Sequence, residues 1–259
     1  MITMSINSID ILGISVTTSP KEEIISFIRT STKKILYIVT PNPEQLVYAQ
    51  KDNHFAQILN DADIALPDGI GLVLAMRILG LSSVLCPMSY VLRRIPGVEF
   101  MEDLVAMAAE KGYPVALIGG RGGVAGEALG RLQGRYPSLH GWTIDPGDVD
   151  QGSLDNLGDV VDKIRETKTR IVFVGLGAPK QEFFIHRLMS YVLHPTSPMV
   201  FMAVGGSFDT IAGRVRRAPL LVRGLGLEWL WRLVREPWRW RRQLALLKFL
   251  WLVVCRKLA

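Results

Sequence analysis

Cysteine and histidine are scarce in this chain of 259 residues, which holds two of the first and four of the second. Cys86 and Cys255 cannot build a disulfide framework, which fits a reducing compartment, and with no cysteine near the histidines no metal centre is expected. Long apolar runs are lacking as well. The longest near the end, Leu244 to Val254, is interrupted by Lys248, whereas roughly twenty apolar residues are needed to cross a bilayer. The segment is expected to lie on a membrane, not span it. Met1 to Asp10 has no basic region followed by an apolar run, so no signal peptide is expected. No internal repeat or low-complexity linker interrupts the chain, and no RNP-like or helix-turn-helix pattern points to nucleic acid.

What the chain does have is a lopsided distribution of charge and tryptophan. Its net charge is +6, yet Arg214 to Lys257 holds twelve Lys and Arg against only Glu228 and Glu236, so the preceding part carries about −4. Five of the six tryptophans (Trp229, Trp231, Trp238, Trp240, Trp251) fall in the same stretch. Arginine interleaved with tryptophan suits a surface apolar below and anionic above. The break in composition near Gly213 divides the chain into a core, residues 1–212, and an appendage, residues 213–259.

Within the core, apolar β-branched runs alternate with helical patterns. ILYIVT (35–40), VALIG (115–119), IVFVGLG (171–177) and MVFMAVGG (199–206) read as strands buried on both faces, and Asp63–Leu66 and Trp142–Ile144 as shorter ones. IDILGISV (9–16) reads as a strand or hairpin, with a short helix opening after Pro20. One helix is expected from Glu44 to about Leu59, with others at 72–79, 99–111, 124–135, 153–167 and from Gln181. Residues 81–93 read as irregular. Such alternation predicts an α/β fold, one doubly wound and largely parallel sheet flanked by helices. The loops after its strands then share one rim, where ligands bind.

Asn42, Asp68, Gly120 to Gly123, Lys180 to Glu182 and Ser207 to Asp209 all sit on that rim. Gly120-Arg121-Gly122-Gly123-Val124-Ala125 matches G-x-G-x-x-[GA] between strand and helix, where backbone N–H groups can approach a diphosphate. A tight packing turn reads equally well. Asp145-Pro146-Gly147, near the end of the next strand, is a turn rather than a ribose-binding acid. Asp61-Ala62-Asp63 has the D-x-D spacing of metal-dependent glycosyltransferases but precedes its strand, on the opposite rim, so Asp61 reads as a helix end. Asp68, in a glycine-bearing loop at a strand's carboxyl end, can face a cleft as a base; an ordinary D-G turn is the alternative. Gln181, at a helix start, serves as a cap or as a site residue.

Seven short motifs then occur in order: Thr40-Pro41-Asn42-Pro43-Glu44, Leu66-Pro67-Asp68-Gly69-Ile70-Gly71, Arg94-Ile95-Pro96-Gly97-Val98-Glu99, Gly177-Ala178-Pro179-Lys180-Gln181-Glu182, Gly205-Gly206-Ser207-Phe208-Asp209, Arg217-Ala218-Pro219 and Gly226-Leu227-Glu228-Trp229. Each is modest alone; in series the chain resembles the WecG/TagA/CpsF glycosyltransferase family from about Ile9 to Arg242. The resemblance implies a Rossmann-like core of the GT-E type and an inverting, metal-independent transferase without cofactor. Such enzymes move a sugar, often N-acetylmannosamine, from a UDP-sugar donor to a polyprenyl-diphosphate-linked sugar, working in the cytoplasm as peripheral proteins on the inner face of the plasma membrane. Asp68 matches the family's catalytic base, and Thr40, Asn42, Arg94 and Gln181 match residues lining its site. The basic appendage in that family closes over the site and docks on an anionic membrane surface. Arg217 and Arg232, with the amides of Gly120, Gly122 and Gly123, are the expected partners of the leaving diphosphate. Glu99, where an aspartate is more usual, and Asp145 to Asp148 depart from the family pattern and leave the sugar open.

Two other readings compete. A nucleotide-cofactor (NAD-type) oxidoreductase would use the glycine turn but lacks a convincing ribose-binding acid. A non-enzymatic binder of anionic lipid would use only the tail. Apolar residues of the 72–79 helix suit a core or a subunit contact alike, leaving a homo-oligomer open.

Overall fold

The computed structural model describes residues 6–79, 94–147, 157–192, 195, 197–224, 226–237 and 240–258, except the side chains of 241–243. The irregular stretch expected at 81–93, Cys86, the start of the 153–167 helix, Trp238, Arg239 and the side chains of Arg241 and Arg242 lie outside them. The chain opens with an antiparallel hairpin, β1 (Ser8–Ile11) and β2 (Ile14–Thr17), and continues into α1 (Lys21–Thr30) and β3 (Ile35–Val39).

Where one helix is expected after β3 there are two, α2 (Pro43–Ala49) and α3 (Asn53–Asn60). The cause is local. Asp52 takes an extended conformation and its side chain accepts the Phe55 N–H at 2.9 Å, a cap that competes with helix continuation and starts a new one. Next come β4 (Ile64–Ala65), α4 (Ile70–Ile78), α5 (Gly97–Lys111), β5 (Val115–Gly119), a single 3-10 turn (Arg121–Gly123), α6 (Val124–Arg135), β6 (Gly141–Ile144) and α7 (Leu157–Glu166). They are followed by β7 (Ile171–Gly175), α8 (Lys180–Tyr191), β8 (Met199–Ala203) and α9 (Ser207–Ile211).

Among the described residues six strands form one sheet in the order β4-β3-β8-β7-β5-β6, every pairing parallel. Side chains alternate between two buried faces. Tyr37 and Val39 of β3 point to one, with the hairpin, α2, α3, α4, α7 and α8, and Leu36 and Ile38 point to the other, with α1, α5, α6 and α9. A strand covered on both sides needs apolar residues throughout, which is why these strands read as continuous runs. The helices after the neighbouring strands β3 and β8 leave to opposite faces, α2 to one and α9 to the other. Their diverging loops open a crevice at the carboxyl ends, the position where doubly wound sheets bind ligands.

Beyond Gly213 follow α10 (Leu220–Gly224), α11 (Glu228–Arg235) and α12 (Trp240–Leu258). The last helix runs over α2 and α4 and buries Phe249 and Val253 completely. Leu244, Leu247, Trp251, Val254 and Leu258, on its opposite side, are exposed at helical spacing. No described helix is long and apolar enough to cross a membrane.

Candidate active site

The crevice between the β3 and β8 loops widens into a cavity of about 390 Å³, with Asp68 in its wall. Asp68 stands past the end of β4, just before Gly69, whose φ of +121° with extended ψ only glycine adopts readily. The backbone N–H of Gly97, at the start of the fifteen-residue α5, works to lower the pKa of Asp68, and the helix dipole there favours an anion. A Cβ at Gly97 would lie 3.0 Å from Thr40 and 3.6 Å from the Asp68 carboxylate, so glycine permits this close approach. The surrounding protein nevertheless pushes the Asp68 pKa up. Burial outweighs the opposing pull of Arg94 and Arg232, and Glu228 adds to the rise. The carboxylate still opens to the cleft at 35% exposure and is therefore reachable. A raised pKa makes it a stronger base than an ordinary aspartate.

Arg94 places its Nε 3.5 Å from Asp68 and its Nη2 2.7 Å from Glu228 on α11. Glu228 is 3.3 Å from Arg232, one turn along the same helix. Burial works to raise the Glu228 pKa, but Arg94, Arg232 and Arg217 together bring it below the ordinary glutamate value. This nearly buried carboxylate thus ties the appendage to the core beside the base. Replacing it by Ala strands two guanidinium groups. The loss is expected to be on the order of 3 kcal/mol of stability, measured as a shift in denaturant midpoint, with a fall in turnover.

Thr40 donates its hydroxyl to the Ala203 carbonyl at 3.2 Å, stitching β3 to β8 beneath the cavity. Asn42 caps α2 through a reciprocal pair, Gln45 N–H to Asn42 Oδ1 at 3.1 Å and Asn42 N–H to Gln45 Oε1 at 3.0 Å. With Oδ1 so engaged, Asn42 has its side-chain amide N–H groups to offer a ligand. Gln181 is buried, accepting the Gly205 N–H at 2.9 Å and donating to Glu182 at 2.8 Å.

Thr40, Asn42, Asp68, Arg94, Gln181 and Arg232 thus line one cavity. A second, of about 230 Å³, shares Asn42, Asp68, Arg94 and Arg232 with it and extends between α4 and the appendage to Ile70, Trp229 and Leu246. Asp68 stands where the two meet.

Other expected site residues lie outside both cavities. Gly120 takes a positive φ against Val124 and Phe208, where a Cβ would lie 2.4 Å from Val124. The carbonyls of Arg121 and Gly122 in the same turn receive Arg214, at 3.3 and 2.7 Å, and Gly123 continues directly into α6. Arg217 is held at 2.9 Å by Glu99, which also binds Arg223 at 3.2 Å. Asp63 is taken up by Lys33 and by the Tyr37 N–H, and Asp61 faces His186 at 3.2 Å, so neither joins the Asp68 cluster. Asp145 closes a turn onto the Gly147 N–H at 3.0 Å.

The sequence profile of the glycosyl transferase WecG/TagA/CpsF family matches residues 9–259. A protein from Bacillus spizizenii strain W23 is 32% identical over 252 residues, covering 96% of this chain and 90% of the relative. A second, from Bacillus subtilis strain 168, is 32% identical over 212 residues, covering 82% and 76% respectively. Both relatives are named N-acetylglucosaminyldiphosphoundecaprenol N-acetyl-beta-D-mannosaminyltransferase.

Proposed function

This chain belongs to the WecG/TagA/CpsF glycosyltransferase family, and from that premise we propose that it moves N-acetylmannosamine, or another hexose, from a UDP-sugar to a polyprenyl-diphosphate-linked N-acetylglucosamine. The observation that carries the reading is the position of Asp68 at the meeting of two cavities. A displacement needs a donor on one side, an acceptor hydroxyl on the other, and a base touching that hydroxyl. The larger cavity, at the β3–β8 crevice, suits the nucleotide sugar. The smaller one, walled by Trp229 and Leu246 from the appendage, suits the acceptor sugar, its lipid leaving toward the exposed apolar side chains of α10 and α12.

In the proposed reaction Asp68 takes the proton of the acceptor hydroxyl as its oxygen bonds to the anomeric carbon. The bond to the UDP oxygen breaks on the opposite face, inverting the configuration. Negative charge then grows on the departing diphosphate. Arg232, like Arg94, lines both cavities, and its guanidinium can offer the diphosphate bidentate hydrogen bonds. Arg217, with Arg223 beside it on Glu99, supplies further positive potential from the appendage side.

Because cationic side chains fill this role, exhaustive chelation is expected to leave the rate unchanged; a strict requirement for manganese or magnesium would refute the metal-free reading. Leu220 and Leu221 on α10, at 77% and 83% exposure, and the apolar stripe of α12 beside Lys248, Arg256 and Lys257 fit peripheral binding at the inner face of the plasma membrane. The deciding experiment is a screen of UDP-sugars against a short-chain polyprenyl-diphosphate N-acetylglucosamine, reading product mass and anomeric configuration. A retained configuration, or no transfer from any UDP-sugar, would sink the proposal.

A further inference from the structure

We propose that Glu182 is a positioning residue for the transfer reaction, its buried carboxyl fastening together the loops after β3, β7 and β8 that wall the Asp68 cavity. Glu182 has no exposed surface, and its Oε1 accepts two side-chain amides, from Gln45 at 2.9 Å and from Gln181 at 2.8 Å. Each amide passes the constraint on. Gln45 completes the reciprocal cap that sets Asn42, and Gln181 Oε1 receives the backbone N–H of Gly205. One carboxyl oxygen therefore connects residues 137 apart in sequence and, through Gln181, a third loop.

The two oxygens of Glu182 differ. Oε1 is fully engaged, while Oε2 is buried without a hydrogen-bond partner. An unpartnered charge in such a place costs more than an unpartnered hydroxyl, so the proton belongs on Oε2, leaving Oε1 free to accept both amides. Burial accordingly pushes the Glu182 pKa up to about 7, against the lowering effect of the two amides. The titratable group coupled to it is Tyr37 of β3, whose buried hydroxyl is itself pushed well above its usual range by burial, Glu182 and Asp61. The neutral acid holds the three loops closed. Ionisation strengthens the two amide bonds to Oε1, but it leaves a bare charge at the unpartnered Oε2 that draws water in and loosens the loops.

The sign for stability follows from linkage. Folded Glu182 keeps its proton up to about pH 7, while the unfolded chain loses it near the ordinary glutamate value. Its contribution is whole below that ordinary value and is lost as pH rises through about 7.

The test compares Glu182→Gln and Glu182→Leu with the wild type, by turnover and by amide hydrogen exchange of peptides covering residues 42–49 and 203–207. The turnover arm rests on the reaction proposed above; the exchange arm reads the loops without it. Wild-type protein inert toward every donor would therefore fault the function, while exchange still judges Glu182. Glu182→Leu is expected to speed exchange in both peptides and lower kcat by roughly 10- to 100-fold, the scale of a misplaced site. Glu182→Gln, which matches the neutral acid, should equal wild type at about pH 6. At about pH 8 it should exchange more slowly and turn over faster than wild type. If the Leu variant does not fold, the Gln variant alone decides. Wild-type exchange and turnover in Glu182→Leu, losses in Glu182→Gln matching those in Glu182→Leu, or the same pH dependence in wild type and Glu182→Gln would each overturn the assignment.

Discussion

Substituting Asp68 with Asn is expected to lower turnover by ~10²–10⁴-fold while leaving donor binding intact, the usual range for loss of a general base. The amide keeps the size of the carboxylate and can still turn its oxygen to the α5 terminus, so that terminus and the neighbouring Arg94 need not move far. What disappears is a group able to take a proton. Donor affinity, measured by competition with UDP, should stay close to wild type, because Asp68 is one of many residues that wall the larger cavity, among them those of the loops after β3, β7 and β8. The pH profile gives a second reading. A base must be ionised, so wild-type kcat/KM should decline as pH falls through a pKa above the ordinary aspartate value. The residual activity of the Asn variant should lack that acid limb. Near-normal turnover in the purified variant would remove Asp68 from the role.

The route to Asp68 from the sequence was short because strand ends are easy to find when strands are buried on both faces. The four long apolar runs became β3, β5, β7 and β8, and the loops after them share the expected rim. Helices read from periodicity alone fared less evenly. The 124–135 pattern became α6 at those residues, whereas the stretch after Glu44 split at Asp52, where a side-chain cap outweighed continuing apolar periodicity. The short α9 directly after β8 was not anticipated, since five residues give no readable period.

The site divides along a similar line. Residues that face the cavity directly, such as Asn42 and Arg94, could be proposed from rim position and motif together. For those that hold them, rim position and motif did not tell the role. Glu182 and Glu228 look like solvated helix glutamates in the sequence, yet both are buried. Their partners, Gln45 and Arg94, lie 137 and 134 residues away, a distance no local pattern spans. The available signals were the rim position of Glu182 within Gly177-Ala178-Pro179-Lys180-Gln181-Glu182 and the place of Glu228 within Gly226-Leu227-Glu228-Trp229. The glycine turn differs, since it lies outside both cavities. Its spacing suggests a phosphate cradle, but packing against Val124 and Phe208 already accounts for Gly120, and Arg214 covers the carbonyls beside it.

Truncation after Ala212 is expected to abolish transfer, even to a short-chain acceptor that needs no membrane. The removed segment carries Glu228 and Arg232 from the wall of both cavities and Trp229 and Leu246 from the smaller one. It also removes Phe249 and Val253 from the core against α2 and α4, where each fully buried side chain contributes about 1.5–3 kcal/mol. Activity and stability should therefore fall together, and a control must separate both from membrane binding. Leu247→Glu and Trp251→Glu change the exposed side of α12, away from both cavities. The double variant should keep its turnover on the short-chain acceptor while losing most of its binding to anionic vesicles. Wild-type binding should itself weaken as salt screens the basic side chains of the appendage. A truncated protein that still transferred at the wild-type rate would reduce the appendage to an anchor. Loss of both properties on truncation, with the double variant losing only the second, would mean that the arginine- and tryptophan-rich segment completes the active site with one side and meets lipid with the other.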